Sequence, residues 1–199
     1  MISIPIIRRE LTSDLVGRHI YLFGAGAATT DILKRLAEAG AQEGTVVLTE
    51  DVGARLGAAV LFRPHLAPGA VPLFSVIAAL ALSDAIGNDR FCVTPLWPDQ
   101  VAIDGETVAR GVIETPPAGD HTGYVILGGE IDVPALEASW PRTIDWNVLV
   151  AKFLNALDKW VTVYAARGPA ALSGAIRFSP RATTGAGYNV GDVLHALAR

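Results

Sequence analysis

The sequence predicts an α+β domain with a mixed, largely antiparallel sheet and helices packed outside it. Two observations lead there. The first is a hairpin signal, in which Val101 and Ile103 alternate with Ala102 before Asp104-Gly105 and a second run of strand-forming residues. The second is a pair of helical stretches, residues 73–86 and 145–164, whose apolar side chains recur at helical spacing. The segments between them read as hairpin strands rather than as repeated parallel crossover units.

Taken in order, residues 1–18 read as an extended arm that approaches the domain. Residues 19–23 form a strand, and Gly24-Ala25-Gly26 turns the chain into a helix over residues 30–39. Ile32, Leu33 and Leu36 give that helix its buried stripe, Thr30 or Asp31 caps it and Gly40 ends it. Residues 45–49 and 58–62 are strands, joined by a connection with two glycines and Arg55. A rigid connection, residues 65–72, leads into the helix over residues 73–86, which Gly87 stops. Residues 91–93 are a short strand running into a corner at Trp97. Residues 115–123, rich in turn formers, separate the second hairpin arm from a strand starting at Tyr124. In the helix over residues 145–164, Trp146, Leu149, Val150, Phe153, Leu157, Trp160, Val161 and Tyr164 form one broad apolar face, and Asp145 or Asn147 favours its start. Beyond it, residues 175–178 read as a strand and residues 193–197 as a short helix. This divides the chain into an arm (1–18), a main domain (19–165) and a short C-terminal extension (166–199).

A chain of 199 residues with 51% hydrophobic and 18% charged residues can bury a sizeable core. Its net charge of −4, with ten acidic residues and three arginines between Asp89 and Asp145, argues against binding to nucleic acid or an acidic membrane. Cys92 is the single cysteine, which points to a reducing, cytoplasmic setting without an intrachain disulfide. The N-terminal residues have no charged region ahead of their short apolar run, so no signal peptide is expected. Neither is a metal site, because His121 has no ligand series around it. Ser75 and Ser83 have no histidine partner for nucleophilic catalysis. The Gly24-Ala25-Gly26 turn invites a dinucleotide-site reading, but it lacks the third glycine and a securely spaced acidic anchor. Its glycines read as turn residues or as the lining of a different pocket.

The segment Pro95-Leu96-Trp97-Pro98-Asp99, followed by the Asp104-Gly105 hairpin and a strand ending at Glu114, resembles the tryptophan-proline-asparagine-aspartate segment of the biotin and lipoate protein ligases. Thr29-Thr30-Asp31 resembles that family's serine-threonine-asparagine helix start. Gly128-Gly129-Glu130-Ile131-Asp132-Val133 resembles its later glycine-rich strand. Residues 44–50 and Leu61-Phe62-Arg63-Pro64 are similar to family strands, and the five pieces keep the family order over residues 15–165.

The resemblance implies a ligand pocket formed by Thr29, Thr30, Arg55, Arg63, Trp97, Asp99, Thr107, Arg110, Gly128 and Asp132, under a glycine-rich loop that folds over the sheet. It also implies two lysines, at positions that here hold Leu96 and Thr107. Arg110 can replace the second charge only if a bulge overrides strand alternation, which otherwise puts it on the face opposite Thr107. Asp99 with Asp132 offers carboxylates for magnesium or acid-base work, although no spacing compels such a site. The expectation is therefore a divergent ligase-like domain that binds a small carboxylate, acyl or adenylate-like ligand or a partner protein. The alternative is a ligase or acyltransferase using ATP and magnesium to modify a carrier-protein lysine. No catalytic residue is assigned. A homodimer is compatible with either reading.

Overall fold

The computed structural model describes residues 1–26, 28–64, 72–87, 93–96, 98–116, 123–140 and 143–172. Trp97, Cys92, His121, most of the connection at residues 65–72 and the elements expected at residues 175–178 and 193–197 lie outside this set. The described elements are α1 (Ile4–Glu10), β1 (Ile20–Gly24), α2 (Thr29–Glu38), β2 (Val46–Asp51), β3 (Arg55–Phe62), α3 (Pro72–Ile86), β4 (Val93–Leu96), β5 (Gln100–Ile103), β6 (Glu106–Glu114), β7 (Val125–Asp132), α4 (Val133–Ser139) and α5 (Trp146–Arg167). Among the described residues the strands form one sheet in the order β1-β2-β3-β7-β6-β5-β4. Only β1 and β2 run parallel, and every other neighbouring pair is antiparallel. The fold is thus α+β with a mixed, largely antiparallel sheet.

The β5–β6 hairpin turns on Asp104 and Gly105, both with positive φ (52° and 89°), the backbone that a two-residue hairpin demands and that Asp-Gly supplies at least cost. One face of the sheet packs on α3 and α5, with Phe62, Phe74, Ile77, Leu82, Phe153 and Leu157 fully buried. Helix α3 is apolar around most of its circumference because it packs between the sheet and α5, with Asp84 exposed and paired with Lys159. The other face carries α2, whose Leu33 and Ala37 pack on Val47, Ala59, Leu61 and Ile126. Helix α5 starts at an Asp145 cap, whose carboxylate accepts from the Asn147 and Val148 N–H groups at 3.0 and 3.2 Å. No described helix is long and apolar enough to cross a membrane.

Four local expectations change. Residues 1–18 are not extended throughout: Pro5 opens the first turn of α1, and Ile7 is fully buried where α1 meets α5. Side chains of α5 hold this segment in place, Asn147 Oδ1 accepting from Ser3 N–H at 2.7 Å and Asn155 Oδ1 from Thr12 N–H at 2.9 Å. Helix α2 begins one residue earlier than expected, with Ala28 at the cap and no side-chain capping bond from Thr30 or Asp31. The connection expected to fold over the sheet is a tight turn instead. Strand β2 continues to Asp51 and β3 begins at Arg55, leaving residues 52–54 with Gly53 at φ 78° and Ala54 N–H bonded to Asp51 O at 2.9 Å. Finally, Asp132 ends β7 and caps α4 by accepting from Ala135 N–H at 2.9 Å, so a helix stands where the sequence assigns no element.

Candidate functional site

Helix α2 covers only part of its sheet face. Side chains alternate along each strand, so the residues that continue this face past Val47, Ala59 and Ile126 are Thr49 and Asp51 on β2, Gly57 and Arg55 on β3, and Glu130 and Asp132 on β7. Two clefts open there. An inner bay of about 290 Å³ lies between the Gly24-Ala25-Gly26 turn, the start of α2 and the sheet, with Thr29, Thr49, Asp51, Gly57, Arg55 and Glu130 in its wall. An outer bay of about 250 Å³ is bounded by Arg55, Gln100, Thr107, Arg110, Glu130 and Asp132. Arg55 and Glu130 belong to both, which makes the bays two parts of one groove. Arg55 also borders a third cleft of about 260 Å³ at the β2–β3 turn, beside Leu56 and Trp146.

The inner bay has a polar floor. Thr29, only 5% exposed, places its hydroxyl 2.8 Å from that of Thr49. One of the two donates and the other accepts, so the acceptor retains a hydrogen of its own to offer. Gly57 makes this approach feasible, because a Cβ at that position would run into both hydroxyl oxygens.

The outer bay depends on a bulge. Across the hairpin Val101 registers with Ala109 but Ala102 with Thr107, so Val108 is the extra residue. Simple alternation would separate Thr107 from Arg110. The bulge instead turns Val108 into the core and leaves Thr107 and Arg110 both exposed beside Gln100. The Arg110 guanidinium reaches Glu130 at 3.6 Å, and the Thr107 hydroxyl donates weakly to Gln100 Oε1 at 3.4 Å. Arg55 sits across from Asp51 on one side and Asp132 on the other, and none of the described ion pairs or side-chain hydrogen bonds involves it.

The groove therefore brings together Thr29, Arg55, Thr107, Arg110 and Asp132. Thr30, next along α2, lines neither bay. Asp99 lies in the turn between β4 and β5, where its carbonyl accepts from Gly111 N–H, and its side chain lines neither bay. Gly128 is buried within the sheet, where a Cβ would collide with Ala58 O and Ala59. Arg63 is at the far end of β3 from Arg55. Its guanidinium donates to the carbonyls of Ala37 and Ala41 at 3.1 and 2.9 Å, closing the C-terminal end of α2. It holds structure rather than facing the groove.

Sequence reasoning omits Thr49, Asp51, Gly57, Gln100 and Glu130 from the candidate set. The available signal is a hydroxyl at the end of the apolar run Val46-Val47-Leu48 and a glycine inside an apolar strand. Helix α2 is pinned beside the groove by Lys34, which donates to Glu114 at 2.9 Å. That bond and the Glu114 charge hold the ammonium above its ordinary range. Burial, followed by the charge of Glu38, pushes the Tyr124 phenol up. Among the described residues no three histidine, cysteine or carboxylate side chains converge closely enough to hold a metal ion.

No protein-family model matches the sequence, and no curated protein does. Solved structures do match. A biotin protein ligase-like protein of unknown function from Silicibacter sp. TM1040 superposes with a TM-score of 0.76 at 17% identity, over 90% of this chain and 84% of that one. The biotin protein ligase of Leishmania major in complex with biotin gives 0.63 at 13% identity, over 87% and 85%. That of Aquifex aeolicus gives 0.62 at 15%, over 80% and 75%. Likeness at these identities is likeness of fold. The chain has the α+β architecture of a biotin/lipoate ligase-like catalytic domain.

Proposed function

We propose that this chain is a divergent biotin/lipoate ligase-like domain that binds a small carboxylate, acyl or adenylate-like ligand in the groove without transferring it to a carrier. The observation that carries this reading is the charge of the groove. Two guanidinium groups, Arg55 and Arg110, face three carboxylates, Asp51, Glu130 and Asp132, and Arg110 is already paired with Glu130. Adenylate formation gathers negative charge from a carboxylate and a triphosphate, and an enzyme lowers that barrier with preorganised positive charge. The resemblance calls for lysines where Leu96 and Thr107 stand.

Among the described residues Arg55 is the guanidinium of the groove without an ion pair, and one such group suits one carboxylate. Arg55 would hold it through two parallel N–H···O bonds, a charge-assisted contact contributing about 1.5–3 kcal/mol. The hydroxyl hydrogen left over in the Thr29–Thr49 pair would donate to an acceptor further along the ligand, and Glu130 would accept an N–H. The test is calorimetry with biotin, lipoate, octanoate and their nonhydrolysable acyl-adenylates. Binding of at least one, lost in Arg55→Ala, is the expected result. Absence of heat from the whole panel at high concentration would sink the reading.

A second reading is favoured by the bulge at Val108, which delivers Arg110 to the groove beside Thr107. In that reading Arg110 stands in for the missing lysine, and the domain is an ATP-dependent acyl or biotinyl ligase or transferase acting on a carrier-protein lysine. Magnesium would enter with the ATP phosphates, which need only one or two protein carboxylates beside them, and Arg55 and Arg110 would add positive charge in the groove. Incubation with labelled ATP, each carboxylate and a biotinyl or lipoyl carrier domain separates the two. Pyrophosphate release with carrier acylation that Arg110→Ala abolishes would establish the enzyme. Carboxylate binding without either would establish the binding domain.

A further inference from the structure

Strand β1 ends the sheet, and its hydrogen-bonding directions can be assigned. Val46 N–H donates to His19 O at 2.8 Å, with Ile20 in register with Val46. In a parallel ladder this aims the backbone groups of His19, Tyr21 and Phe23 at β2, and those of Ile20, Leu22 and Gly24 away from it. The outward edge is apolar. Tyr21, Leu22 and Phe23 are 43%, 37% and 38% exposed, because α2 packs over β2 and β3 and leaves β1 uncovered.

Proteins usually blunt such edges with lysine, proline or a bulge. The opposite edge strand, β4, carries Pro95, whereas Ile20–Gly24 contains no charge, no proline and no register shift.

We infer that β1 pairs antiparallel with β1 of a second copy of this chain, about a two-fold axis through Leu22. The segment is complementary to itself in that register. Leu22 faces Leu22, Tyr21 faces Phe23 and Ile20 faces Gly24, so the outward N–H and C=O groups of Ile20, Leu22 and Gly24 all find partners. The Tyr21–Phe23 pairs stack on the α2 side of the sheet and the two Leu22 side chains meet on the other. No like charges are brought together within the paired residues. Two five-residue strands make a small interface, so the association depends on concentration.

Sedimentation of the full chain across a concentration series should show a monomer–dimer equilibrium. Leu22→Lys, which sets two ammonium groups against each other at the axis, should weaken it at least about tenfold. Geometry is checked by oxidation in a Cys92→Ser background. Opposed residues of a hydrogen-bonded antiparallel pair lie about 5.5 Å apart at Cα, within disulfide range, so Leu22→Cys should crosslink rapidly. Tyr21→Cys, whose opposite number is Phe23, should crosslink slowly. A monomer at every concentration, a dimer indifferent to Leu22→Lys, or equal crosslinking of the two cysteine variants would overturn the inference. Should Leu22→Lys fail to fold by circular dichroism, the crosslinking comparison decides.

Discussion

Replacing Gly57 with alanine tests the inner bay directly. The added methyl would strike the Thr29 hydroxyl oxygen and lie 2.5 Å from that of Thr49. Both neighbours are short, β-branched and stiff at χ1, and Thr29 is almost fully buried, so relief requires turning a hydroxyl away and breaking the 2.8 Å bond between them. Overpacking costs about 1–3 kcal/mol and the lost hydrogen bond about 0.5–1.5, while alanine in place of glycine within a strand returns about 0.5–1. The net expectation is a loss of about 1–3 kcal/mol, read as a fall in melting temperature of about 2–4 °C per kcal/mol for a chain of this size. Urea unfolding at unchanged slope measures it. In a Thr29→Ala/Thr49→Ala background both obstructing oxygens are gone, and the same Gly57→Ala change should become neutral or stabilising. An equal cost in both backgrounds, or a gain in the parent chain, would refute the clash.

The two arginines of β3 should respond oppositely. Arg63→Ala removes the donors to Ala37 and Ala41 and should cost about 1–2 kcal/mol without changing ligand affinity in calorimetry. Arg55→Ala should leave stability within about 0.5 kcal/mol and remove binding. Asp145→Ala deletes the cap of α5 and should lower stability by about 1 kcal/mol in urea titration. Burial against Phe74 holds the Tyr164 phenol above its ordinary 10.0. A folded value above the unfolded one means that its contribution is complete below pH 10 and is lost as pH climbs through the folded value. Melting temperature should accordingly drop in that alkaline window, and Tyr164→Phe should flatten the drop.

The elements most legible in the sequence are those whose local chemistry and tertiary packing agree. Asp104-Gly105 specifies a turn with positive φ, and the apolar face of α5 repeats over six turns of helix, so neither depends on distant contacts for its recognition. Helix α1 is less legible, because seven residues containing a proline carry little intrinsic helical signal and are stabilised by Asn147, Asn155 and the core around Ile7. In the groove, Thr29 and Arg55 are visible through the family resemblance. Thr49 and Gly57 face each other in the β2–β3 pair, but Glu130 joins them only once β7 lies beside β3. The bulge at Val108 is invisible to alternation, since Val108-Ala109 reads as ordinary strand and only the register with Val101 and Ala102 exposes the extra residue.

Strand β7 occupies the middle of the sheet yet is, among the described residues, the last of its strands in sequence. Upstream of it, β1, β2 and β3 form one neighbourhood and β4, β5 and β6 another, each assembled from segments close in sequence. The two neighbourhoods do not pair with each other: β3 and β6 both await residues 125–132. On the ribosome, a chain emerging before Val125 therefore exposes two long inner strand edges at once, and its translation slows or hastens the interval in which those edges can capture other chains. Of the two pairings of β7, the one with β6 is local in sequence, whereas the one with β3 joins segments far apart in the chain and is the pairing expected to form slowly.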